Sequence, residues 1–184
     1  MFFAASPRNL TLEAAARLAR PARGRAQIVA VTVDPDDGLI ERIGDILAPD
    51  LIQLHGAETP SRVREVAARS GAGVIKALGV SQAEDLAAAR AYDEVAQHMM
   101  FDARPLAGAG RPGGVGQSFD WTLLAGLRLP RPWFLAGGLD PWNVGEAIRA
   151  SGAALVDVSS GVERGAGLKD PALIRAFLQA VGRD

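Results

Sequence analysis

The chain has 184 residues, of which 48% are hydrophobic, so it is long enough for one well-buried domain, and we predict a single domain over residues 1–184. Its formal net charge of -1 gives no electrostatic support for binding nucleic acid or an anionic membrane, and the absence of cysteine excludes disulfides, thiolate metal sites and a cysteine nucleophile from this chain. Without a membrane-length apolar run or the basic start of a secretory signal, the sequence predicts a cytoplasmic protein.

Short apolar runs alternate with helical patterns along the whole chain. The runs lie at Gln27–Val33, Leu51–Leu54, Val74–Leu78, Met99–Phe101, Trp133–Ala136 and Leu155–Val158. They show little alternation of polar and apolar residues, which indicates strands buried on both faces, as in a parallel sheet covered by helices. A further short run, Phe2–Ala4, has the composition of a strand end.

Helix start signals and apolar stripes lie between the predicted strands. Three N-cap residues precede a proline at the first helical position, at Thr59-Pro60, Asp140-Pro141 and Asp170-Pro171. Ser81 and Glu84 have the spacing of a capping box. Helical stripes run through Leu39, Ile40, Ile43 and Leu47, and through Leu173, Ile174, Phe177 and Val181. The spacing of Trp121, Trp133 and Trp142 predicts packing roles.

Alternating strands and helices are typical of both a parallel β/α barrel and an open doubly wound sheet. No G-x-G-x-x-G motif follows an early strand, so a dinucleotide-binding fold has no positive support. We therefore predict an α/β fold, a parallel eight-stranded TIM barrel. Because the sequence contains fewer strand signals than eight, we expect the first βα unit and part of the second strand to be missing from this chain.

Two strands near the C-terminus end in small residues. The Trp133–Leu139 segment has Gly137 and Gly138 near its end, and the Leu155–Gly161 segment ends with Ser159, Ser160 and Gly161. Backbone N–H groups at such strand ends bind phosphate, and the loops after strands seven and eight of a barrel are the usual phosphate site. The sequence predicts a phosphate-binding cradle here, with two ordinary strand-to-helix turns as the alternative.

A glycine-rich segment separates the fourth run from the fifth. It contains Gly113, Gly114 and Gly116 and is too rich in glycine to pack as a helix or strand. Long loops inside compact domains often close over a site, so these glycines predict a mobile loop, with a disordered surface insertion as the alternative.

In combination, these residues resemble the phosphoribosylanthranilate isomerase family. The landmarks are Phe3-Ala-Ala-Ser-Pro-Arg-Asn9, Gln53-Leu-His-Gly56, Phe101-Asp102, Gly113-Gly-Val-Gly-Gln-Ser-Phe-Asp-Trp121, Leu135-Ala-Gly-Gly-Leu-Asp-Pro-Trp-Asn-Val144 and Val156-Asp-Val-Ser-Ser-Gly-Val-Glu163. The resemblance extends from Phe2 to the C-terminal helix. It implies an enzyme of tryptophan biosynthesis that converts a phosphoribosyl amine to an aminodeoxyribulose phosphate by an Amadori rearrangement.

The resemblance also implies roles for individual residues. Asp102 matches the general acid, and its place after an apolar strand suits a proton donor because burial disfavours a charged carboxylate. Arg8 matches the residue that holds the anthranilate carboxylate. The substrate-binding candidates that remain are Gln53, His55 and Asp157, each with a structural role as the alternative. The general base of the family is a cysteine that precedes Phe2, and this chain has none.

Two alternatives to the isomerase stay open at this point. The missing base is compatible with a non-catalytic protein that binds a phosphorylated ligand on a barrel. Another phosphate-binding barrel enzyme would need a catalytic lysine or a histidine metal site, for which the sequence offers Lys76 in a predicted strand and 2 histidines. We expect no cofactor and no metal, a small phosphoribosyl substrate, no nucleic acid or membrane partner, and a monomer or homodimer.

Overall fold

The structure is a computed structural model that describes residues 1–2, 5–103 and 119–182. Backbone contacts divide the chain into two compact units. The first unit comprises Met1–Ala77 and Ala91–His98, and the second comprises Leu78–Arg90 and Met99–Asp184. The prediction of one domain therefore stays a prediction, and each unit is described by itself.

The strands are β1 (Val29–Thr32), β2 (Leu51–Leu54), β3 (Gly73–Val80), β4 (His98–Ala103), β5 (Phe134–Leu135), β6 (Leu155–Val156), β7 (Glu163–Gly165) and β8 (Leu168–Lys169). The α-helices are α1 (Leu12–Ala19), α2 (Asp37–Arg42), α3 (Pro60–Ser70), α4 (Val144–Ser151) and α5 (Pro171–Val181). Shorter or tighter helical segments lie at Arg20–Ala22, Ile43–Leu47, Ala83–Tyr92, Trp121–Leu124 and Ser160–Val162. Within the described ranges, no helix is long and apolar enough to cross a membrane.

In the first unit, β1, β2 and the start of β3 pair in parallel and in chain order. Val29 aligns with Leu51, and Leu51 aligns with Gly73. All four residues of β2 are buried, as expected for a strand covered on both faces. Phe2 forms a parallel bridge with Thr32, so the first residue of the short apolar run at the N-terminus pairs with β1.

In the second unit, β4, β5 and β6 also pair in parallel and in chain order. Phe101 aligns with Leu135, which aligns with Val156. The Phe101 and Trp133 rings make an edge-to-face contact with their centroids 5.4 Å apart, which buries Trp133 as predicted. β7 and β8 form a separate antiparallel pair directly after β6.

Two of the three predicted proline-linked caps are present. The Thr59 hydroxyl accepts a hydrogen bond from the Arg62 N–H at the start of α3, and the Asp170 carboxylate accepts from the Ala172 N–H at the start of α5. The first apolar stripe buries Ile40, Ile43 and Leu47, whereas α5 buries only Phe177 of its predicted stripe.

Three local predictions are wrong. Helix α4 begins at Val144 and not at Pro141, although the Asp140 carboxylate accepts from the N–H groups of Trp142 and Asn143, in the same way that Asp170 accepts from the first turn of α5. Trp142 therefore lies before the helix and is 79% exposed. At the predicted capping box, the carboxylate that accepts from the Ser81 N–H belongs to Asp85 rather than Glu84.

The Asp170 cap yields a stability prediction. Asp170→Ala removes the acceptor for the Ala172 N–H and should lower the free energy of unfolding by about 1 kcal/mol. Asp170→Asn keeps a side-chain oxygen and should retain most of the stability. Urea unfolding of the three proteins measures the difference, and equal midpoints for Asp170→Ala and the parent chain would contradict the capping role.

Charged side chains join α2 to α3 and yield a pH prediction. The Arg62 guanidinium, 2.6 Å from the Asp37 carboxylate, holds the pKa of Asp37 below its usual value of 3.8, mainly through this hydrogen bond. A lowered folded-state pKa contributes stability that is fully present above the usual value and is lost as the pH falls through the lowered one. Thermal unfolding should show Asp37→Asn less stable than the parent chain at about pH 6 and equal to it near pH 2. A salt concentration of about 1 M should reduce the difference in stability at pH 6, since the Asp37 side chain is 47% exposed and the attraction is therefore screened.

Candidate active site

Gln53 and His55 lie two residues apart at the end of β2, in the first unit, and face the same side. The Gln53 Nε2 atom is 3.0 Å from His55 Nδ1. Because an amide nitrogen only donates, Nδ1 accepts this bond, and the neutral ring carries its proton on Nε2. Gln53 is buried and His55 is half-buried. The shared orientation is the one that a period of two along a strand requires.

Arg8 lies in a turn of the first unit that follows the Phe2 bridge. Its backbone N–H donates to the Ser6 hydroxyl at 3.1 Å, and the Asn9 N–H donates to the Ser6 carbonyl. These bonds fix the direction in which the chain leaves the turn. Arg8 is half-buried, which suits a guanidinium that binds a carboxylate at the border of solvent.

A buried ion pair lies next to His55, and sequence reasoning did not find it. Lys76 Nζ in β3 is 2.8 Å from Glu58 Oε2, and both side chains are 1% exposed. Lys76 drew attention in the sequence as a strand lysine, but nothing there identified Glu58 as its partner. The structure also places Lys169 in a strand, β8.

In the second unit, Asp102 and Gly137 lie side by side at the ends of β4 and β5. Asp102 is 7% exposed. A Cβ atom on Gly137 would lie 2.7 Å from Asp102 Oδ1 and 2.7 Å from Ala103 Cβ, and the residue has φ of +90°. Any side chain at this position would displace the carboxylate, so glycine is required for both space and conformation.

The two segments of the predicted phosphate cradle meet in the second unit. A Cβ on Gly161 would lie 2.9 Å from Asp140 Cα, so the Ser159–Gly161 segment packs directly against the backbone that follows Gly138. Gly138 has φ of +66°, a conformation that favours glycine. Ser160 and Gly161 start a short helical turn, Ser160–Val162. The five cradle residues therefore form one neighbourhood.

Two further residues, Asn143 and Lys169, contact the backbone of the cradle. Asn143 Nδ2 donates to the Gly138 carbonyl at 2.9 Å. Lys169 Nζ donates to the Ser159 carbonyl at 2.7 Å and pairs with Glu163 at 2.9 Å. The Lys169 ammonium group therefore contacts the cradle backbone. Asn143 lies three residues after Asp140, in the Asx turn that Asp140 forms. An asparagine at that spacing is a sequence signal that could have identified Asn143.

Asp157 and the glycines of the predicted mobile loop are the remaining site residues that the sequence predicted. Asp157 follows β6, is half-buried, and donates its backbone N–H to the Leu135 carbonyl at 2.8 Å. The predicted mobile-loop glycines Gly113, Gly114 and Gly116 lie outside the described residues. Among the residues that the structure describes, no cluster of histidine, aspartate or glutamate has the geometry to hold a metal ion.

The contact at Gly137 yields a prediction with a matched control. Gly152 ends α4 with φ of +74° and has nothing within 4 Å of a Cβ position, so Gly152→Ala measures conformational strain alone, about 1–2 kcal/mol. Gly137→Ala adds the clash with Asp102 and Ala103 and should destabilise by at least ~1 kcal/mol more. Chemical unfolding of both variants tests this, and an equal loss would show that the site has room for a side chain.

The chain matches a family model and named relatives over nearly its whole length. Residues 1–180 match the model described as N-(5'phosphoribosyl)anthranilate (PRA) isomerase. The chain is 68% identical over 184 residues to the N-(5'-phosphoribosyl)anthranilate isomerase of Caulobacter vibrioides, covering 100% of this chain and 84% of the relative. The corresponding protein of Rhodopseudomonas palustris is 52% identical over 180 residues, covering 98% and 83% of the two chains.

Solved structures agree with these matches. The phosphoribosyl anthranilate isomerase of Thermotoga maritima superposes with a TM-score of 0.86 at 33% identity, over 98% of this chain and 84% of that one. Another match, at a TM-score of 0.80 and 31% identity over 98% and 84% of the two chains, is of monomers generated from the dimeric enzyme of that organism. A third match, with a TM-score of 0.80 and 32% identity over the same shares of the two chains, is a phosphoribosyl anthranilate isomerase in complex with reduced 1-(o-carboxyphenylamino)-1-deoxyribulose 5-phosphate. The predicted α/β barrel class is thereby confirmed, and the chain belongs to the N-(5'-phosphoribosyl)anthranilate isomerase family.

Proposed function

We propose that this chain converts N-(5-phosphoribosyl)anthranilate to 1-(2-carboxyphenylamino)-1-deoxyribulose 5-phosphate, a step of tryptophan biosynthesis, with Asp102 as the general acid. In this intramolecular reaction the acid protonates the ribose ring oxygen, and the ring opens to a Schiff base. A base then removes the C2 proton. The resulting enolamine tautomerises to the ketose, so no atom is gained or lost.

The position of Asp102 is the observation that carries the proposal. Asp102 is 7% exposed and lies at the end of β4, against a glycine that leaves no room for a side chain. A carboxyl group held at a strand end in this way can serve as the proton donor that ring opening needs. The same unit holds the phosphate cradle, so acid and anchor belong to one continuous part of the fold.

The cradle would hold the 5-phosphate of the substrate. Backbone N–H groups at Gly137, Gly138, Ser159, Ser160 and Gly161 are suitable donors, because glycine and serine let the chain approach an anion closely. The Lys169 ammonium group adds positive charge at the Ser159 carbonyl, although Glu163 offsets part of it. Anchoring the phosphate fixes the sugar relative to the acid.

The anthranilate end of the substrate carries a carboxylate, for which Arg8 is the proposed partner. A guanidinium binds a carboxylate through two parallel hydrogen bonds. His55 would donate from Nε2 to a substrate oxygen, with Gln53 fixing its tautomer. Asp157 would accept from a ribose hydroxyl at the end of β6.

The proposal assigns no residue of this chain as the general base. The family supplies it from a cysteine before Phe2, and this chain contains no cysteine. A protein that binds the phosphorylated ligand without turnover stays the second candidate. An enzyme that depends on a catalytic lysine gains no support, because Lys76 is 1% exposed and paired with Glu58.

We also propose a cytoplasmic location and a monomer or homodimer. The substrate is a small, charged metabolite, and its consumption needs no membrane or nucleic-acid partner. The dimeric relative from Thermotoga maritima makes a homodimer the form to test first. Size-exclusion chromatography with light scattering decides between the two states.

Asp102→Asn tests the acid. The amide cannot supply the proton, so turnover should fall by about 10²–10⁴-fold while affinity for the reduced product analogue stays within about threefold. Asp36→Asn is the control, because Asp36 caps α2 by accepting from the Leu39 N–H and an asparagine preserves that cap. Equal turnover of Asp102→Asn and the parent chain would remove Asp102 from the mechanism.

The same assay decides between enzyme and binding protein. The chain is compared with a version extended upstream in its own reading frame. Turnover by either form supports the isomerase, and turnover only by the extended form places the base upstream. Analogue binding with no turnover by either form would overturn the isomerase and support the binding protein.

A further inference from the structure

We propose that the buried Lys76–Glu58 pair is a positioning device that holds His55 for substrate binding. The proposal rests on the substrate-facing role of His55 given above. It concerns only the first unit, in which all the contacts described below lie. Neither Lys76 nor Glu58 is proposed to touch the substrate.

The burial of the pair argues that it does more than stabilise the fold. Both side chains are 1% exposed, and Nζ and Oε2 are 2.8 Å apart. Removing two charges from water costs free energy that their mutual attraction often only offsets, and apolar residues of similar volume can replace such pairs without loss of stability. A pair kept at this cost is better explained by the geometry that it imposes.

That geometry is imposed on the backbone at His55. Lys76 Nζ donates to the Gly56 carbonyl at 2.7 Å and approaches the Leu54 carbonyl at 3.5 Å. Glu58 Oε2 accepts from the Gly56 N–H at 3.0 Å. The His55 N–H donates to the Thr32 carbonyl at 2.9 Å. The peptide groups on both sides of His55 are therefore held by the pair or by β1.

Neighbouring groups keep Glu58 in place. Its Oε1 atom accepts from the Asp34 N–H at 2.8 Å, and its carbonyl accepts from the Tyr92 hydroxyl at 3.0 Å. Burial, and then the Glu58 charge, raise the pKa of Tyr92, so the hydroxyl keeps its proton and remains a donor. The Lys76 ammonium lies 5.9 Å from the centroid of the same ring.

The consequence reaches the imidazole through Gln53. With the backbone of His55 fixed, Nδ1 lies 3.0 Å from Gln53 Nε2, and the proton resides on Nε2. If the pair were lost, the Gly56 peptide could rotate, the distance to Gln53 would vary, and both neutral tautomers would become populated. His55 would then offer a donor or an acceptor to the substrate instead of a donor alone.

The experiment uses the full chain and the double variant Lys76→Met/Glu58→Gln, which removes both charges and leaves neither unpaired. Val63→Ala is the matched control, since it removes buried atoms from α3 in the same unit, where Val63 is 0% exposed, without touching the pair. The first measurement is the ¹⁵N NMR signature of the His55 ring, with His98 as an internal reference because the chain has 2 histidines. The second is the affinity for the reduced product analogue.

We expect the parent chain and Val63→Ala to show the single Nε2–H tautomer, and the folded double variant to show a mixture with analogue affinity reduced on the order of tenfold. An unchanged tautomer in the folded double variant would overturn the proposal. If the parent chain does not bind the analogue, the proposed function fails. The ¹⁵N NMR signature of His55 still tests whether the Lys76–Glu58 pair positions the ring.

A milder variant covers the case in which the double variant does not fold. Tyr92→Phe removes only the hydroxyl that donates to the Glu58 carbonyl and keeps the ring beside Lys76. It should shift the His55 tautomer signature in the same direction by a smaller amount. A signature identical to that of the parent chain in Tyr92→Phe, with the double variant unfolded, would also count against the positioning role.

Discussion

In each unit, the candidate site residues depend on the close approach of backbone segments at the carboxyl ends of strands, where a Cβ atom has no room. In the second unit, a Cβ on Gly137 would lie 2.7 Å from the Asp102 carboxylate, and one on Gly161 would lie 2.9 Å from Asp140 Cα. Glycine at these two positions lets the candidate acid and the candidate phosphate cradle form. In the first unit, a Cβ on Gly56 would lie 2.6 Å from Asp34 Oδ2, so glycine is needed in the loop that carries His55.

At the strand ends, side chains also reach the backbone. Asn143 donates to the Gly138 carbonyl, Lys169 donates to the Ser159 carbonyl, and Lys76 donates to the Gly56 carbonyl. Each of these bonds supplies a backbone carbonyl group with a side-chain donor.

The two cationic supports differ in a way that follows from burial. Lys169 is 43% exposed, so water screens its pairing with Glu163 and a substitution there should affect mainly the local loop. Lys76 and Glu58 are 1% exposed, so neither can be changed alone without leaving a charge unpaired in the interior. Comparable ammonium-to-carbonyl contacts thus have very different consequences for folding, which is why the double variant is the informative one.

The sequence by itself determined the alternation of strands and helices and the glycine-bearing strand ends, because these depend on local composition and on the periodicity of apolar residues. It also located the caps at Thr59 and Asp170, where the acceptor and donor are near neighbours. Only the tertiary structure decided that α4 begins at Val144, that Asn143 and Lys169 hold the cradle, and that Lys76 in β3 meets Glu58, 18 residues earlier. Contacts of that kind depend on which strands are neighbours and on which charges burial forces together, and no local pattern records either.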